Sequence, residues 1–296
     1  MDKVNILDGN NFFSRVFFDG GRELSCVVTA FIKLRQRYKG RFLVTFDTSK
    51  SERRLAMYPE YKAGRKSSLS PEEYEVFKST MGAFMRVVKN MKVSVLEGDG
   101  YEADDYIAMV TAMLKRFHVH IHSTDKDFWQ LVSNRVTIIR PTNKFNKVDP
   151  LTPENFVEVV GVPQEFFLDY KCMIGDKSDN IPGIDGVGPG RAAKYINEFG
   201  CYADILEALK PKLAETKKSK QPNGTEMKIL NGPAAMKLAK DLMDLSVVYR
   251  DARLKNLVSE KVKNTVYSAE NILEILTDFD SEECFDVVRA QCKNLK

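Results

Sequence analysis

Nine carboxylates in this chain stand at positions where a chain turns, and seven of them come after a short apolar run, Asp8 and Asp47 directly. Asp8 comes after Val-Asn-Ile-Leu, Asp47 after Phe-Leu-Val-Thr-Phe, and Asp125 with Asp127 after Val-His-Ile-His-Ser-Thr. Glu102, Asp104 and Asp105 follow Val93 to Leu96 and a glycine-containing turn, while Asp176 and Asp179 precede a glycine-rich segment. Any one of them alone would cap a helix N-terminus, where a carboxylate accepts backbone N–H groups at the positive end of the dipole. A set converging on one edge would repel itself unless cations neutralised it, and all-oxygen ligation suits magnesium or manganese rather than zinc. Two such ions ~3.5–4 Å apart stabilise both the attacking and the leaving oxygen of an in-line displacement at phosphorus.

A second pattern adds phosphate contacts. In Ile181-Pro-Gly-Ile-Asp-Gly-Val-Gly-Pro-Gly the glycines Gly183, Gly186, Gly188 and Gly190 let backbone amides approach a phosphate, and the next helix, 191–199, offers its N-terminus. This reads as a helix-hairpin-helix-like grip. Lysine and arginine gather in 53–66 and 210–220. His118, His120 and His122 alternate along one strand, yet alternate strand residues lie ~6.6 Å apart and zinc holds its ligands at ~2.0–2.1 Å, so the three do not enclose one ion. Trp129 reads as core beneath the turn after Asp127. No Ser-His-Asp or Cys-His set stands out.

These side chains need a scaffold that sets them on one edge. Short β-branched runs at 4–7, 42–46, 93–96, 119–123 and 136–139 alternate with helical patterns at 25–38, 71–89 and 102–117, which predicts crossover connections and a mostly parallel central sheet flanked by helices. In such α/β sheets ligands bind outside the carboxyl ends of the strands, which is where the aspartates fall. From about Thr152 strand signals fade, so the expected division is an α/β core over 1–160 and a helical region over 161–296. Within the latter, 217–224 (KKSKQPNG) reads as a mobile, basic loop.

Composition sets bounds on function without choosing one. The 296 residues suffice for about two domains, and 43% apolar with 29% charged residues excludes a disordered or collagenous chain. No apolar run approaches the ~20 residues of a membrane span, and the N-terminus lacks the basic and apolar stretches of a signal peptide, so a cytoplasmic location is expected. The five cysteines, Cys26, Cys172, Cys201, Cys284 and Cys292, are odd in number and lack CxxC spacing, as expected of reduced packing residues. A net charge of +4 implies no particular partner.

Seven ordered landmarks then carry a resemblance: Asp8 in ILDGNN, Asp47 in VTFD, YPEYKAGR, YEADD, STDKD, MIGDKSDN and IPGIDGVGPGRAAKYINEFG. In this order they resemble the 5′ nuclease superfamily, which includes flap endonucleases, the 5′ nuclease domain of bacterial DNA polymerase I, and bacteriophage 5′-exonuclease and RNase H enzymes. The resemblance implies a structure-specific 5′ nuclease, acting as a 5′-flap endonuclease and 5′-3′ exonuclease in DNA replication or repair. The rival readings are an RNase H-type primer-removing nuclease and a non-catalytic branched-DNA-binding protein. It further implies two Mg2+ or Mn2+ ions, one held by Asp8, Asp47, Glu102, Asp104 and Asp105, the other by Asp125, Asp127, Asp176 and Asp179. A helical arch near 52–90 would bring Lys62, with Arg53 or Arg54, to the scissile phosphate, while Tyr58 or Tyr61 stacks on a base. The glycine motif, near 181–200, resembles the helix-three-turn-helix that grips duplex backbone, with K+ on its carbonyls and Arg191 and Lys194 on phosphates. Implied partners are branched or 5′-ended duplex DNA, RNA·DNA hybrid and replication proteins, bound by a monomer; a bacteriophage origin would place it in a bacterial host. The 210–232 stretch has no counterpart among those landmarks.

Overall fold

The computed structural model describes residues 3–65, 67–141, 148–263 and 269–293. Its sheet has the order β3-β2-β1-β4-β5-β6, built from β1 (Lys3–Asp8), β2 (Arg41–Phe46), β3 (Ser94–Glu97), β4 (His118–His122), β5 (Val136–Pro141) and β6 (Val148–Leu151). All neighbours pair in parallel except β5 with β6. A central parallel strand covered on both faces should be apolar throughout, and β1 is: only Lys3 of its six residues is exposed. The antiparallel β6 escapes a reading based on β-branched runs, since it contains Pro150, a residue that an edge strand tolerates.

The helices before the sheet's end are α1 (Gly9–Asp19), α2 (Leu24–Arg37), α3 (Glu52–Met57), α4 (Pro71–Lys89) and α5 (Ala103–Met113). The expected helices at 25–38 and 71–89 are found within a residue of their bounds, and α4 starts with a Ser70/Glu73 capping box and Pro71 in its first turn. Helix α5 stops at Met113, short of the expected 117. Helix α1 was not expected; Gly-Asn-Asn at its start reads as a turn, but Asp8 caps it by accepting from the Asn11 N–H at 3.1 Å.

Beyond β6 the chain is helical: α6 (Phe156–Val160), α7 (Phe167–Ile174), α8 (Pro189–Phe199), α9 (Tyr202–Leu209), α10 (Gly224–Leu230), α11 (Pro233–Met243), α12 (Ala252–Lys263), α13 (Ala269–Asp278) and α14 (Phe285–Lys293). One core joins the α5 face of the sheet to the helical region through Phe128, Trp129, Phe156, Phe167 and Tyr195; Trp129 is core, 9% exposed. The other core lies under α1, α2 and α4. Ile272 and Leu276 of α13, Cys284 in the turn that follows it and Val288 of α14 pack into this core beside α1, α2 and α4. Cys26, Cys172, Cys201 and Cys284 are free thiols, and the side chain of Cys292 lies outside the described residues.

Candidate active site

The strand order reverses between β1 and β4, and the carboxyl ends there carry the acidic residues. Asp8 closes β1, Asp47 follows β2 and Asp125 follows β4. Short hydrogen bonds stitch these ends together. Ser123 Oγ donates to Asp8 Oδ2 at 2.8 Å and accepts from the Asp125 N–H at 3.0 Å, while the Asp47 N–H donates to Asn10 Oδ1 at 2.9 Å. The Ala103 N–H donates to Asp47 Oδ1 at 2.6 Å, which docks the N-terminus of α5, and with it Glu102, Asp104 and Asp105, on the end of β2. From the helical side, Tyr61 OH bridges Glu102 Oε2 at 2.8 Å and Asp179 Oδ2 at 3.2 Å, and Lys171 of α7 reaches both Asp127 and Asp176. The nine expected carboxylates therefore lie in one connected cluster.

Its electrostatics divide the cluster in two. Glu102 is held below the usual carboxylate range: burial alone would raise it, and the nearby Lys62 and Arg54 outweigh that. Asp176 is lowered in the same sense, against its burial, by Ser178 and Lys171. In the other half Lys62 and Arg54 also act, on Asp47 and Asp104, but do not outweigh burial. Asp8 is pushed up to about 7, chiefly by burial and further by the charges of Asp47 and Asp125. Asp104 is raised well above its ordinary value by burial and then by Asp47 and Asp125, and Asp47 is raised by burial and by Glu102. Carboxylates that crowd one another to this degree call for added positive charge.

The donor set fits a hard divalent cation, since it is built of carboxylates with no thiolate or imidazole among them. As they stand, no three His, Cys, Asp or Glu side chains among the described residues are arranged to hold an ion. Two ammonium groups stand within the cluster: that of Lys171 lies against Asp127 and Asp176, and that of Lys62 sits 2.8 Å from Glu102 Oε1. The chain's own ammonium groups draw those carboxylates toward themselves.

Several expected roles change in the light of this geometry. Arg54, expected at the phosphate, is 2% exposed and faces inward. Its guanidinium contacts Glu102 at 3.1 Å and Asp105 at 3.0 Å, and its Nε donates to the Leu242 carbonyl at 2.9 Å, so it braces the cluster from beneath. Arg53 likewise donates to the Asp241 carbonyl at 2.7 Å, tying α3 to α11. Tyr61, expected to stack on a base, is buried with its hydroxyl between two carboxylates. Asp105, expected as a ligand, receives the Glu102 N–H and the Arg54 guanidinium and thus positions Glu102. Tyr58 keeps an open face, lining a groove with Lys177, Asn180 and the glycine-rich turn.

Lys62 is turned into the cluster, 9% exposed at its side chain, with its backbone in the left-handed region at φ 56 and its N–H donating to the Asp179 carbonyl at 2.9 Å. A non-glycine residue there stores strain, and that hydrogen bond helps to hold it. In the glycine-rich turn the residues do different work. A Cβ on Gly183 would lie 2.3 Å from the Ile174 backbone, so this glycine serves close packing against α7, whereas Gly186 supplies a positive φ of 69. Gly188 and Gly190 face open space, and Arg191 and Lys194 are exposed on α8, Arg191 also bracing the turn through the Gly186 carbonyl at 2.6 Å. Lys171 and Arg65, which pairs with Asp179, were not among the expected site residues. Lys171 lies five residues before Asp176, which falls past the end of α7 at Ile174, so no helical i,i+3 or i,i+4 spacing announces the contact.

The histidines stand apart from all this. His122 is buried, its ring against Tyr38 with Nε2 3.0 Å from Asn5 Oδ1, and burial pushes its pKa down to about 3.

Comparison with known proteins adds the family context. The profile described as "5′-3′ exonuclease, N-terminal resolvase-like domain" matches residues 3–161, and that described as "5′-3′ exonuclease, C-terminal SAM fold" matches 162–265. A 5′-3′ exonuclease of Aquifex aeolicus is 32% identical over 220 residues, covering 70% of this chain and 73% of that protein. DNA polymerase I of Mycobacterium tuberculosis is 34% identical over 221 residues, 68% of this chain; the chain spans 24% of that relative's length. Among solved structures, the 5′-exonuclease of bacteriophage T5 with bound zinc superposes with a TM-score of 0.73 at 25% identity, covering 92% of this chain and 99% of the other. The flap endonuclease of bacteriophage T5 in complex with DNA and metal ions superposes with a TM-score of 0.72 at 24% identity, covering 93% and 99%, a likeness of fold.

Proposed function

The chain belongs to the 5′-3′ exonuclease family, and from that premise we propose that it is a structure-specific 5′ nuclease that hydrolyses DNA phosphodiesters at 5′-ended or branched duplexes. The observation that carries this reading is the pair of half-clusters, one neutralised by Lys62, Arg54 and Lys171, the other of Asp8, Asp47 and Asp104 raised by burial and, less, by one another's charge. A protein that only bound DNA would gain nothing from an acidic cluster facing phosphate, because it repels the ligand.

Asp8, Asp47, Glu102 and Asp104 would hold one divalent cation, and Asp125, Asp127, Asp176 and Asp179 a second, with magnesium or manganese favoured by the oxygen donors. Bound there, the ions supply an activated water nucleophile and neutralise charge on the phosphate. The chain's own residues do the rest. Arg54 and Asp105 fix Glu102 in place, Ser123 fixes Asp8 against Asp125, and Lys62 presents a cation on the side of the cluster nearest Tyr61 and Asp179. With its charge no longer needed by Glu102, the Lys62 ammonium would be free to face the phosphate, where it would stabilise the charge that develops on the transferring group. The open glycines Gly188 and Gly190, with Arg191 and Lys194, would hold the duplex backbone, with a potassium ion on the turn carbonyls. No helix among the described residues is long and apolar enough to cross a membrane.

The test is a comparison of three labelled substrates, a 5′-flap, a nicked duplex and an RNA·DNA hybrid, each cut in magnesium under single turnover. Fastest release from the flap or nick supports the reading, and cleavage confined to the hybrid would replace it with primer removal.

A further inference from the structure

The stretch that no landmark accounts for, 210–232, is structured and sits beside the glycine-rich turn. Between Lys210 and Lys220 it carries five lysines against the single Glu215, a local excess equal to the net +4 of the whole chain. Its ordering is specific. Asn223 caps α10, and Glu226, 7% exposed, accepts the Asn223 N–H at 2.8 Å and the Lys212 ammonium at 2.6 Å. One buried glutamate therefore pins the start of the lysine-bearing turn to the helix that ends it. The expected mobile loop at 217–224 instead forms a 3-10 turn over Lys218–Lys220.

Two contacts fix where this turn stands. Lys228 on α10 places its ammonium 3.1 Å from Asp185 Oδ2, and that same nitrogen would lie 2.5 Å from a Cβ on Gly186, at the tip of the glycine-rich turn. Lys194 of α8 acts through space on Glu226, helping Lys212 to hold it below its ordinary range, although burial opposes both. Lys212, Lys220 and Glu226 line one shallow polar depression. Lys217, Lys218 and Lys220 are exposed and make no ion pair among the described residues.

We propose that the 210–228 segment is a second duplex-binding element, a cationic shelf of Lys212, Lys217, Lys218, Lys220 and Lys228 that continues the phosphate contacts of Lys194 along the duplex. The inference rests on the DNA-binding reading above and adds to it the length of duplex engaged. Duplex DNA presents one charge per ~1.7 Å of axis, a regular anion that suits lysines held on an ordered turn next to an existing phosphate grip. Glu226 takes up Lys212 and, in part, Lys194, which leaves Lys217, Lys218 and Lys220 facing only Glu215 within the 210–220 stretch, so a net positive charge remains on the shelf.

The experiment measures equilibrium binding of the full chain and of the Lys217→Ala/Lys218→Ala/Lys220→Ala variant to a 5′-flap DNA in EDTA, across a salt series. All three positions are exposed, so the fold should survive, and a matching melting curve verifies it. With a long duplex arm, the variant should lose ~2–3 from the slope of log Kd against log salt and bind roughly tenfold more weakly at moderate salt. With a single-stranded oligonucleotide, or an arm too short to reach the shelf, wild type and variant should coincide. Equal slopes on the long-arm substrate would overturn the proposal, as would an equal loss on single-stranded DNA, which would make the shelf a single-strand channel. Failure of the underlying reading appears separately, as wild-type protein with no salt-dependent affinity for the flap, and it overturns the shelf as well.

Discussion

Replacing Arg54 by Met removes the cation from a site where two carboxylates depend on it. The guanidinium is 2% exposed and makes contacts of 3.1 Å to Glu102 Oε2, 3.0 Å to each Asp105 oxygen, and 2.9 Å from Nε to the Leu242 carbonyl. Glu102 would retain Lys62 and Tyr61, whereas Asp105 would keep only the Glu102 N–H. Breaking a buried pair by removing one partner costs about 3–5 kcal/mol, because the remaining charge is left buried. For a chain of this size that is a fall in Tm on the order of 10 °C. Arg54→Lys keeps a charge but loses the planar fork and should recover less than half of the loss. Adding Asp105→Asn to Arg54→Met should restore part of it, since the stranded charge is gone, with a coupling of about 0.5–3 kcal/mol. Differential scanning calorimetry of wild type, Arg54→Met, Arg54→Lys, Asp105→Asn and the double variant reads these values. A loss below about 1 kcal/mol for Arg54→Met, with no coupling to Asp105, would refute the brace and return Arg54 to the surface role the sequence suggested.

Three further outcomes follow from the same geometry. Because the folded carboxyl of Asp8 is raised to about 7, its proton is bound more tightly in the folded than in the unfolded chain, so its contribution is full below pH ~4 and is lost as pH rises through about 7. In EDTA this group therefore costs about 3 kcal/mol between pH 5 and pH 8, and millimolar magnesium, which favours the ionised carboxyl, should raise the melting temperature more at pH 8 than at pH 5; an equal gain at the two pH values would contradict the shift. Glu102 and Asp176, whose pKa values are lowered, act in a more acidic window, and His122, lowered to about 3, favours pH 8 over pH 5 with or without magnesium, so the magnesium-dependent gain isolates the carboxyl. Asp125→Asn should lose most cleavage while keeping or tightening DNA binding, read by gel shift beside single-turnover rates, and full activity in magnesium would remove Asp125 from the site. Lys62→Ala should slow single-turnover cleavage at saturating DNA by about 10²–10³ with little change in Kd, and the reverse pattern would make Lys62 a positioning contact.

The parts of this account that were legible in the sequence are those set by local rules. Period-two and β-branched runs located β1 to β5, and the rule that α/β sites lie past the strand ends turned Asp8, Asp47 and Asp125 from caps into a cluster. Both readings hold in the structure, since Asp8 and Asp125 accept backbone N–H groups while facing the other carboxylates. What could not be read were side-chain directions set by tertiary contact. Arg53 and Arg54 sit in a basic stretch that looks solvent-facing, yet the carbonyls of Asp241 and Leu242, 188 residues away, turn them inward. Tyr61 is drawn under by Glu102 and Asp179 for the same reason. Gly183 looked like its neighbours in the glycine run, and only the approach of Ile174 separates a packing glycine from one open to a phosphate.

The central claim is that the carboxylate cluster cleaves DNA from its 5′ side with divalent cations. Mapping both ends of the product from one turnover on a 5′-labelled flap, with magnesium and with EDTA, tests it most directly. The account predicts a 5′-phosphate and a 3′-hydroxyl near the flap junction in magnesium and intact substrate in EDTA. Equal cleavage in EDTA, or degradation that begins from the 3′ end, would contradict it.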